Sequence, residues 1–385
     1  MTTHATDVAL AGSAALAVAM GIGRFAFTPV LPMMQGEGAL DVAQGGWLAS
    51  ANYVGYLVGG LTAMHLPLRP RAAIRIALVA VGIATLAMGL TNAMGAWLAL
   101  RAIAGVASAW VLVFASAWCL EQLQSHADGG RGALLGATLF AGVGAGIAIA
   151  GAACALLFVA AVSAAGVWIA LGAASLAAAM VLWNRLGDGA AAPLQAGESS
   201  VGSAEIVRLA ACYGAFGFGY IIPATFLSAM ARDAMPDPAV YAWSWPLFGA
   251  AAAASTFAAI AVRARLSQRA LWIAGHLTMA LGVAIPLAVP GLAGIMASAL
   301  LVGGTFMVVT MAGLQEARRV AGAGARRLMA AMTSSFALGQ IAGPLAVSAL
   351  AARGHGFAPA LAIAAAVLVA SAIVLTVHSP KPRTS

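Results

Sequence analysis

The sequence predicts an all-α membrane protein of twelve transmembrane helices in two pseudo-symmetric six-helix halves. Of its 385 residues, 63% are hydrophobic and only 8% are charged, whereas soluble domains carry about 25% charged residues. The apolar residues form twelve runs of about 20 residues, the length that an α-helix needs to cross a bilayer. Each run is continuously apolar, which excludes the alternating strands of a transmembrane barrel. No room is left for a large soluble domain, and no enzymatic activity is predicted.

The runs follow one another along the chain with short breaks between them. In the first half, residues 1–183, they cover 8–34, 47–65, 72–90, 96–120, 133–157 and the stretch from a break near Ser163 to Trp183. In the second half, residues 206–385, they cover 206–230, 241–262, 270–289, 291–314, 328–350 and 357–377, followed by a short tail. The first run is interpreted as a retained span, because its leading residues lack the positive charge of a signal peptide. The polar stretch 184–205, rich in Gly, Ser and Ala and carrying acidic residues, predicts a cytoplasmic linker between the halves.

The basic residues predict how the helices are oriented. Loops on the cytoplasmic side of a membrane protein are enriched in Lys and Arg. With the amino terminus inside, fifteen of the nineteen basic residues lie on the inner side and two on the outer side. We therefore predict an integral multi-pass protein of the cell (inner) membrane, with both termini in the cytoplasm. The +8 net charge is spread over the ends of apolar runs and does not form the basic face of a nucleic-acid-binding protein.

The two halves show signs of internal duplication. At an offset of 196 residues, GIGRFAFTP at 21–29 aligns with GFGYIIPAT at 217–225, Trp47 with Trp243, and Arg69 with Arg265. At an offset of 197, two glycines of the fifth run align with two of the eleventh, at 142 and 146 against 339 and 343. Two related halves with a binding site between them are typical of alternating-access transporters.

Four segments carry a resemblance to a known family: GIGRFAFTPVLPMM, RAIAGVASAWVLV, YGAFGFGYIIPATF and GQIAGPL. Through them the chain resembles the major facilitator superfamily, and within it the YbfB/YjiJ-type group. The resemblance implies a central cavity lined mainly by spans one, four, seven and ten, with the two halves rocking around it. One departure is that LPLRPRAAIR, after the second run, lacks the Asp of the superfamily pattern G-x-x-x-D-R-x-G-R-R.

Two arginines lie inside predicted spans, where a charged side chain is costly and usually marks a pathway. Arg24 is expected near the bilayer midplane, or slightly outside it, and Arg101 lies nearer the outer end of span four. No Asp or Glu lies in a span interior. Arg24 therefore hydrogen-bonds carbonyls freed near Pro29 and Pro32, contacts an anionic substrate, or meets a partner that the sequence does not reveal. For Arg101 an interhelical brace is slightly favoured, although the resemblance associates R-x-x-x-G, here Arg101 with Gly105, with coupling.

Aromatic and amide side chains complete the candidate substrate site. In the repeat alignment Tyr220 occupies the position of Arg24, which would place a phenol across the cavity from a cation. This pairing suits an amphipathic anion such as an aromatic or carboxylic acid, whereas the alternative for each residue is an interhelical hydrogen bond. The candidates are Arg24, Asn52, Tyr53, Tyr56, Arg101, Tyr213, Tyr220 and Gln340.

Several other functions lack their sequence signatures. The glycine-rich run at 142–151 lies within an apolar helix and is interpreted as a helix-packing surface, since a dinucleotide loop needs a preceding strand. The only lysine is Lys381, so there is no Walker A loop. Neither a cofactor nor a metal site is predicted. The expected partners are the lipid bilayer, a small-molecule substrate and a coupling proton or ion, in a protein that works as a monomer without nucleic acid.

Together these features favour a secondary active or facilitated transporter of a small organic solute, anionic or amphipathic, with export favoured by the resemblance. One alternative is a proton-coupled multidrug exporter of neutral or cationic compounds, although the cavity acid that would attract a cation is missing. Another is a membrane sensor or scaffold that does not transport.

Overall fold

The computed structural model describes residues 2–63, 68–123, 130–187, 202–235, 237–262, 265–322 and 325–376. Across these ranges the secondary structure is helical, with no strand. The elements of the first half are α1 (Thr2–Leu16), a π-helix (Ala17–Arg24), α2 (Phe27–Gly36), α3 (Val42–Ala63), α4 (Pro70–Met88), α5 (Met94–Leu123), α6 (Gly130–Val159) and α7 (Ala164–Leu182). Those of the second half are α8 (Ser203–Ala234), α9 (Pro238–Tyr241), α10 (Ser244–Val262), α11 (Gln268–Ala288), α12 (Leu292–Ala321), α13 (Ala325–Ala351) and α14 (Ala358–Thr376).

The predicted helical membrane bundle is confirmed. Within the described ranges, eleven helical segments are long and apolar enough to cross a membrane, and the first of them, Ala5–Gly36, joins α1, the π-helix and α2. With the 22-residue α3, they make twelve long helical segments. They run alternately between two faces. We call the face where α1 begins and α14 ends the terminal face, and the other the distal face.

The same helix pairings recur in each half. In the first half α1 packs on α6, α3 on α5, and α4 on both α5 and α7. In the second half the counterparts are α8 with α13, α10 with α12, and α11 with both α12 and α14. Between the halves, α6 packs against α10, α3 against α13, and α2 against α8. These three helix pairs make the largest contacts between the two halves.

The first span is interrupted by a π-helix, which the apolar pattern alone did not predict. Here the Phe25 N–H donates to the Met20 carbonyl at 3.0 Å, five residues back. π-helical segments are rare and frequently occur at functional sites. Gly21 brings this segment against α6, because a Cβ at that position would overlap the backbone of Gly146. The π-helix therefore places Arg24 in the centre of the bundle, where only 2% of its surface is exposed.

An ionic cluster joins three helix ends of the second half at the terminal face. Arg269 of α11 donates to Glu205 of α8 and to Glu316 of α12, at 2.8 Å each. Glu316 also accepts from Arg319, and Glu205 pairs with Arg208. The acidic residues are buried, and each is paired with two arginines, which is the arrangement that a buried carboxylate requires.

Two of the segment ends that the sequence predicts lie within the described residues. Ser163, at the predicted break, caps α7 by accepting a hydrogen bond from the Gly166 N–H at 3.2 Å. Helix α8 begins at Ser203, close to the predicted start at 206. Most of the predicted linker, residues 188–201, lies outside the described residues.

Candidate functional site

The guanidinium of Arg24 lies among aromatic rings. Its Cζ is 3.9 Å from the ring centre of Tyr56, 5.0 Å from that of Tyr53 and 5.2 Å from that of Phe25. Its Nε and Nη2 are buried without a hydrogen-bond partner, and no ion pair to it occurs in the described part of the chain. Stacking on the rings supplies cation–π attraction but leaves these N–H groups unused. Arg24 is thus a desolvated cation with free donors.

Arg101 takes the hydrogen-bonding role that the sequence offered as one alternative for Arg24. Its Nη2 donates to the Arg24 carbonyl at 2.9 Å and its Nη1 to the Gly23 carbonyl at 3.2 Å. Asn52 adds donations to the carbonyls of Arg101 at 2.9 Å and Gly23 at 3.4 Å. The carbonyls at the end of the π-helix therefore bind side chains of α3 and α5, and Arg101 is a brace between α5 and the first span.

Gly105 permits this arrangement. A Cβ at Gly105 would overlap the Asn52 carbonyl oxygen, and one at Gly55 would overlap the Ala102 carbonyl oxygen. Helices α3 and α5 therefore approach each other closely enough for Asn52 to reach the carbonyl of Arg101. In this structure, the Arg101–Gly105 pattern serves close packing beside Arg24.

A second polar group faces the first from the other half. Tyr220 stacks between Phe306 and Phe336, with ring centres 4.8 Å and 5.6 Å away and interplanar angles of 16° and 7°. Its hydroxyl accepts a hydrogen bond from the Gln340 amide. Phe306 also contacts Phe25, edge to face, at 6.3 Å. We call Phe25, Tyr220, Phe306 and Phe336 the aromatic cluster, which joins the surroundings of Arg24 to the second half.

Tyrosines 53 and 213 make further contacts near the centre. The Tyr53 hydroxyl forms a 2.9 Å hydrogen bond with the Thr225 hydroxyl, across the two halves. The Tyr213 hydroxyl donates to the Thr310 carbonyl on α12 at 3.4 Å, and its ring packs on Phe336. Tyr53 therefore connects the ring cage of Arg24 with α8, whereas Tyr213 lies deeper within the second half.

The two halves are tightly joined towards the distal face. Four side chains each donate to a backbone carbonyl of the other half: Thr28 to Ala224 at 2.6 Å, Ser50 to Ile341 at 3.1 Å, Ser348 to Ala43 at 2.9 Å and Arg232 to Pro32 at 3.0 Å. Close backbone contacts accompany them. A Cβ at Gly46 would overlap the Ser348 hydroxyl, and one at Gly249 would overlap the Ala148 backbone nitrogen. The bundle is closed on this side.

Towards the terminal face the halves separate around a cavity of about 280 Å³. It is lined by the terminal-face ends of α6 and α10 and by one face of α12. The lining residues are Ala133, Gly136, Ala137 and Phe140 of α6, Thr256, Ala259 and Ile260 of α10, and Met307, Thr310, Met311, Leu314, Gln315 and Arg318 of α12. Helices α6 and α10 thus meet near Gly144 and Gly249 and diverge beyond them.

The position of this cavity differs from the expectation of a space lined mainly by spans one, four, seven and ten. Of those four spans, only span ten (α12) contributes, and spans five (α6) and eight (α10) form the other walls. The aromatic cluster lies beside this cavity and not in its wall, since Phe306 precedes the lining residue Met307 on α12 and stacks on Tyr220. None of the eight candidate residues lines the cavity.

The structure brings most of the candidates together in two groups. Arg24, Tyr53 and Tyr56 form one group, braced by Asn52 and Arg101, while Tyr220 and Gln340 form the other. Sequence reasoning missed Thr28 and Thr225, which bond across the halves, and it treated Arg318 only as a basic residue on the inner side. The i, i+3, i+4 spacing of the α12 lining residues was the signal that could have identified that face.

Three titratable side chains that could pass a coupling proton have partners within the protein. His276 is fully buried, and its Nε2 accepts from the Trp272 N–H at 3.0 Å. Glu37 accepts from the Ala164 N–H at 2.7 Å at the start of α7, and the Asp41 carboxylate accepts from the Gln44 N–H at 2.7 Å at the start of α3. These contacts place each residue in a structural hydrogen bond. In the described ranges, no group of three His, Cys, Asp or Glu side chains could hold a metal ion.

Solved structures share this architecture over nearly the whole chain. A D-xylose–proton symporter matches with a TM-score of 0.75 at 12% identity, covering 96% of both chains. A bacterial homologue of the human lysosomal transporter Spinster, in an inward-facing and unoccupied conformation, has a TM-score of 0.70 at 15% identity, covering 98% of this chain and 95% of that one. A mutant of the nucleoside transporter NupG has a TM-score of 0.75 at 14% identity, covering 96% and 99%. At these identities the similarity shows the fold alone.

Sequence comparison identifies the family. No curated protein matches the sequence. The family model described as "Uncharacterised MFS-type transporter YbfB" matches residues 16–376. The match covers the π-helix with Arg24, the aromatic cluster and the helices around the cavity, and it points to a transporter and not to an enzyme. The chain belongs to this YbfB-type family of major facilitator superfamily membrane transporters.

Proposed function

We propose that this transporter moves a small organic anion by alternating access and that Arg24 binds the anionic group. The observation that carries the proposal is the buried Arg24 guanidinium, whose Nε and Nη2 have no hydrogen-bond partner. An uncompensated buried charge costs several kcal/mol, about what one ion loses on leaving water. A bound carboxylate would compensate this charge and accept both free N–H groups in a bidentate pair.

The surroundings of Arg24 favour an anion with an apolar part. Tyr53, Tyr56 and Phe25 already cover the guanidinium with aromatic carbon. The aromatic cluster offers flat apolar surfaces, and Tyr220 adds a hydroxyl among them. An aromatic or other amphipathic carboxylic acid combines the charge that Arg24 lacks with a group that packs on these rings.

The closed distal face and the cavity at the terminal face support alternating access. Placing the terminal face in the cytoplasm, where the basic residues are concentrated, makes this an inward-facing state of an inner-membrane protein. The similar Spinster homologue is described in an inward-facing conformation, and the other two similar structures are a sugar–proton symporter and a nucleoside transporter. We propose export as the direction, by analogy with the family, and a monomer with both termini inside.

The proposal is tested by ligand-dependent thermal stability of the purified protein. Benzoate, octanoate, D-xylose and tetraphenylphosphonium would each be added to wild type, Arg24→Ala and Arg24→Lys. A ligand at 100 times its Kd stabilises the native state by about 2.7 kcal/mol. We expect an organic anion to raise the melting temperature of wild type, to do so less in Arg24→Lys, and to do so least in Arg24→Ala.

The opposite pattern would contradict the role of Arg24. If only the cation or the sugar stabilises wild type, and Arg24→Ala responds equally, Arg24 is structural and the multidrug alternative is favoured. Arg265→Ala is the matched control, because Arg265 is an exposed arginine at the terminal face. Its response to anions should equal that of wild type.

A further inference from the structure

We propose that the cavity between α6, α10 and α12 is a separate binding site for an amphipathic monoanion. The anionic head would lie at Gln315 and Arg318, and the apolar tail would extend along Met311 and Met307 towards Phe140. The inference deepens the proposed function and rests on it for the ligand class. It assigns this class a site outside the surroundings of Arg24.

The lining of α12 changes from apolar to polar along one helix face. Met307, Met311 and Arg318 recur at helical spacing and all line the cavity. With a rise of 1.5 Å per residue, Arg318 lies about 16 Å from Met307 along the helix axis. Gln315 lies beside Arg318 at the terminal-face end. The cavity therefore has an apolar inner end and a cationic mouth, the polarity of an amphipathic anion.

No acidic side chain among the described residues neutralises the charge at the mouth. The neighbouring Arg319 pairs with Glu316, whereas Arg318 forms no ion pair in the described ranges. The part of the chain that the structure describes contributes no acidic residue to the cavity lining. A cationic ligand would find no partner here, and a neutral ligand would leave the charge of Arg318 unused.

The apolar end suits a flexible or variable tail. Methionine side chains are unbranched and polarisable and adapt to ligands of different shape. The opposite wall is formed by small residues of α6, including Ala133 and Ala137, and leaves space between the helices. The volume of about 280 Å³ lies just below the range of about 300–1,000 Å³ for small-molecule pockets, which suits a single short chain or one ring.

This site is distinct from the surroundings of Arg24. No residue that contacts the Arg24 guanidinium lines the cavity. The aromatic cluster lies between them, since Phe306 contacts Phe25 on one side and is adjacent in sequence to Met307 on the other. A ligand at Arg318 would therefore occupy a first position at the cavity mouth, before any contact with Arg24.

A cysteine-protection experiment tests this site without a transport assay. Gly136→Cys places a thiol on the cavity wall, where an added Cβ meets no atom within 4 Å. Octanoate is expected to slow alkylation of this cysteine by N-ethylmaleimide at least threefold in protein held in nanodiscs. Octanol, which lacks the charge, and acetate, which lacks the tail, should protect less. Met311→Cys is a second reporter should the first fail to fold.

Charge variants then test the mouth. Arg318→Gln should raise the octanoate concentration for half-protection by about threefold, the range for an exposed ion pair. Arg265→Gln, which removes an equal charge from the same face outside the cavity, should leave it unchanged. Ser203→Cys, exposed at the start of α8, should be alkylated equally with and without octanoate. The native cysteines are buried, and their labelling is measured in the parent protein.

The outcomes separate this inference from the proposed function. No protection of either reporter, equal protection by octanol, or protection unchanged in Arg318→Gln would overturn the cavity site. If anions nevertheless stabilise wild type and not Arg24→Ala, the proposed function stands without it. If octanoate protects as expected while every anion stabilises Arg24→Ala as much as wild type, the cavity site stands and the role of Arg24 is wrong.

Discussion

Replacing Gly46 by valine is expected to abolish transport while leaving the protein folded. A Cβ at Gly46 would overlap the Ser348 hydroxyl and lie 2.7 Å from the Pro344 carbonyl oxygen, so α3 and α13 could not close the distal face. The clash acts between the halves and not within one. Overpacking of this kind costs about 1–3 kcal/mol, enough to reverse an equilibrium between two states.

Native Cys154 reports the state of the distal face. It is buried in a small space lined by Pro29, Ser228 and Tyr241, where the two halves meet. We expect N-ethylmaleimide to alkylate Cys154, located by mass spectrometry, at least tenfold faster in Gly46→Val than in wild type. Gly60→Val is the matched control on the same helix, because a Cβ at Gly60 meets no atom within 4 Å. Equal alkylation in the two variants would refute a specific role of Gly46 in closure.

Arg101→Ala is expected to destabilise the folded protein strongly. Arg101 is 3% exposed and donates to the carbonyls of Gly23 and Arg24. A hydrogen bond to a charged group contributes about 1.5–3 kcal/mol, so losing two costs about 3 kcal/mol or more. Arg101→Lys should have an intermediate effect, because an ammonium group cannot reproduce the planar fork of a guanidinium.

Arg24→Met is the contrasting variant, and both variants would be compared with wild type by thermal unfolding. Both arginines are buried, yet the Nε and Nη2 of Arg24 have no hydrogen-bond partner. Removing an uncompensated charge from an apolar site is neutral or stabilising. In thermal unfolding without ligand we expect a lower midpoint for Arg101→Ala and an equal or higher midpoint for Arg24→Met. A similar drop in both would show that the two residues share one structural role.

Sequence reasoning identified the helices and the unusual arginines but could not divide the roles of the arginines. Continuous apolar runs follow directly from the requirement to bury backbone polar groups in lipid. Which arginine bonds the free carbonyls depends on the π-helix that ends at Arg24. Its residues are equally compatible with an α-helix, so the carbonyls of Gly23 and Arg24 could not be recognised in advance as the acceptors for Arg101.

The cavity lies between α6, α10 and α12, whereas the sequence led us to expect it between spans one, four, seven and ten. The physical reason for this difference is another one. Which side chains fill the centre of the bundle depends on the angle between the two halves. A transporter that works by alternating access adopts at least two such angles with one sequence. In this state Phe306 and Tyr220 are stacked at the centre, and the open space lies between α6 and α10. Helix periodicity predicted which residues share a face of α12, but not which state would separate that face from its neighbours.

In the proposed mechanism, the unpaired Arg24 would also make the membrane potential part of the transport cycle. Moving one elementary charge through a potential of 100 mV is worth about 2.3 kcal/mol. Among the described residues that contact the Arg24 guanidinium none is acidic, so its charge is cancelled only when a monoanion binds. The loaded centre is then electrically neutral at this position, whereas the empty centre is cationic. In the proposed cycle, voltage would act on the return of the empty protein and leave the loaded step almost unaffected.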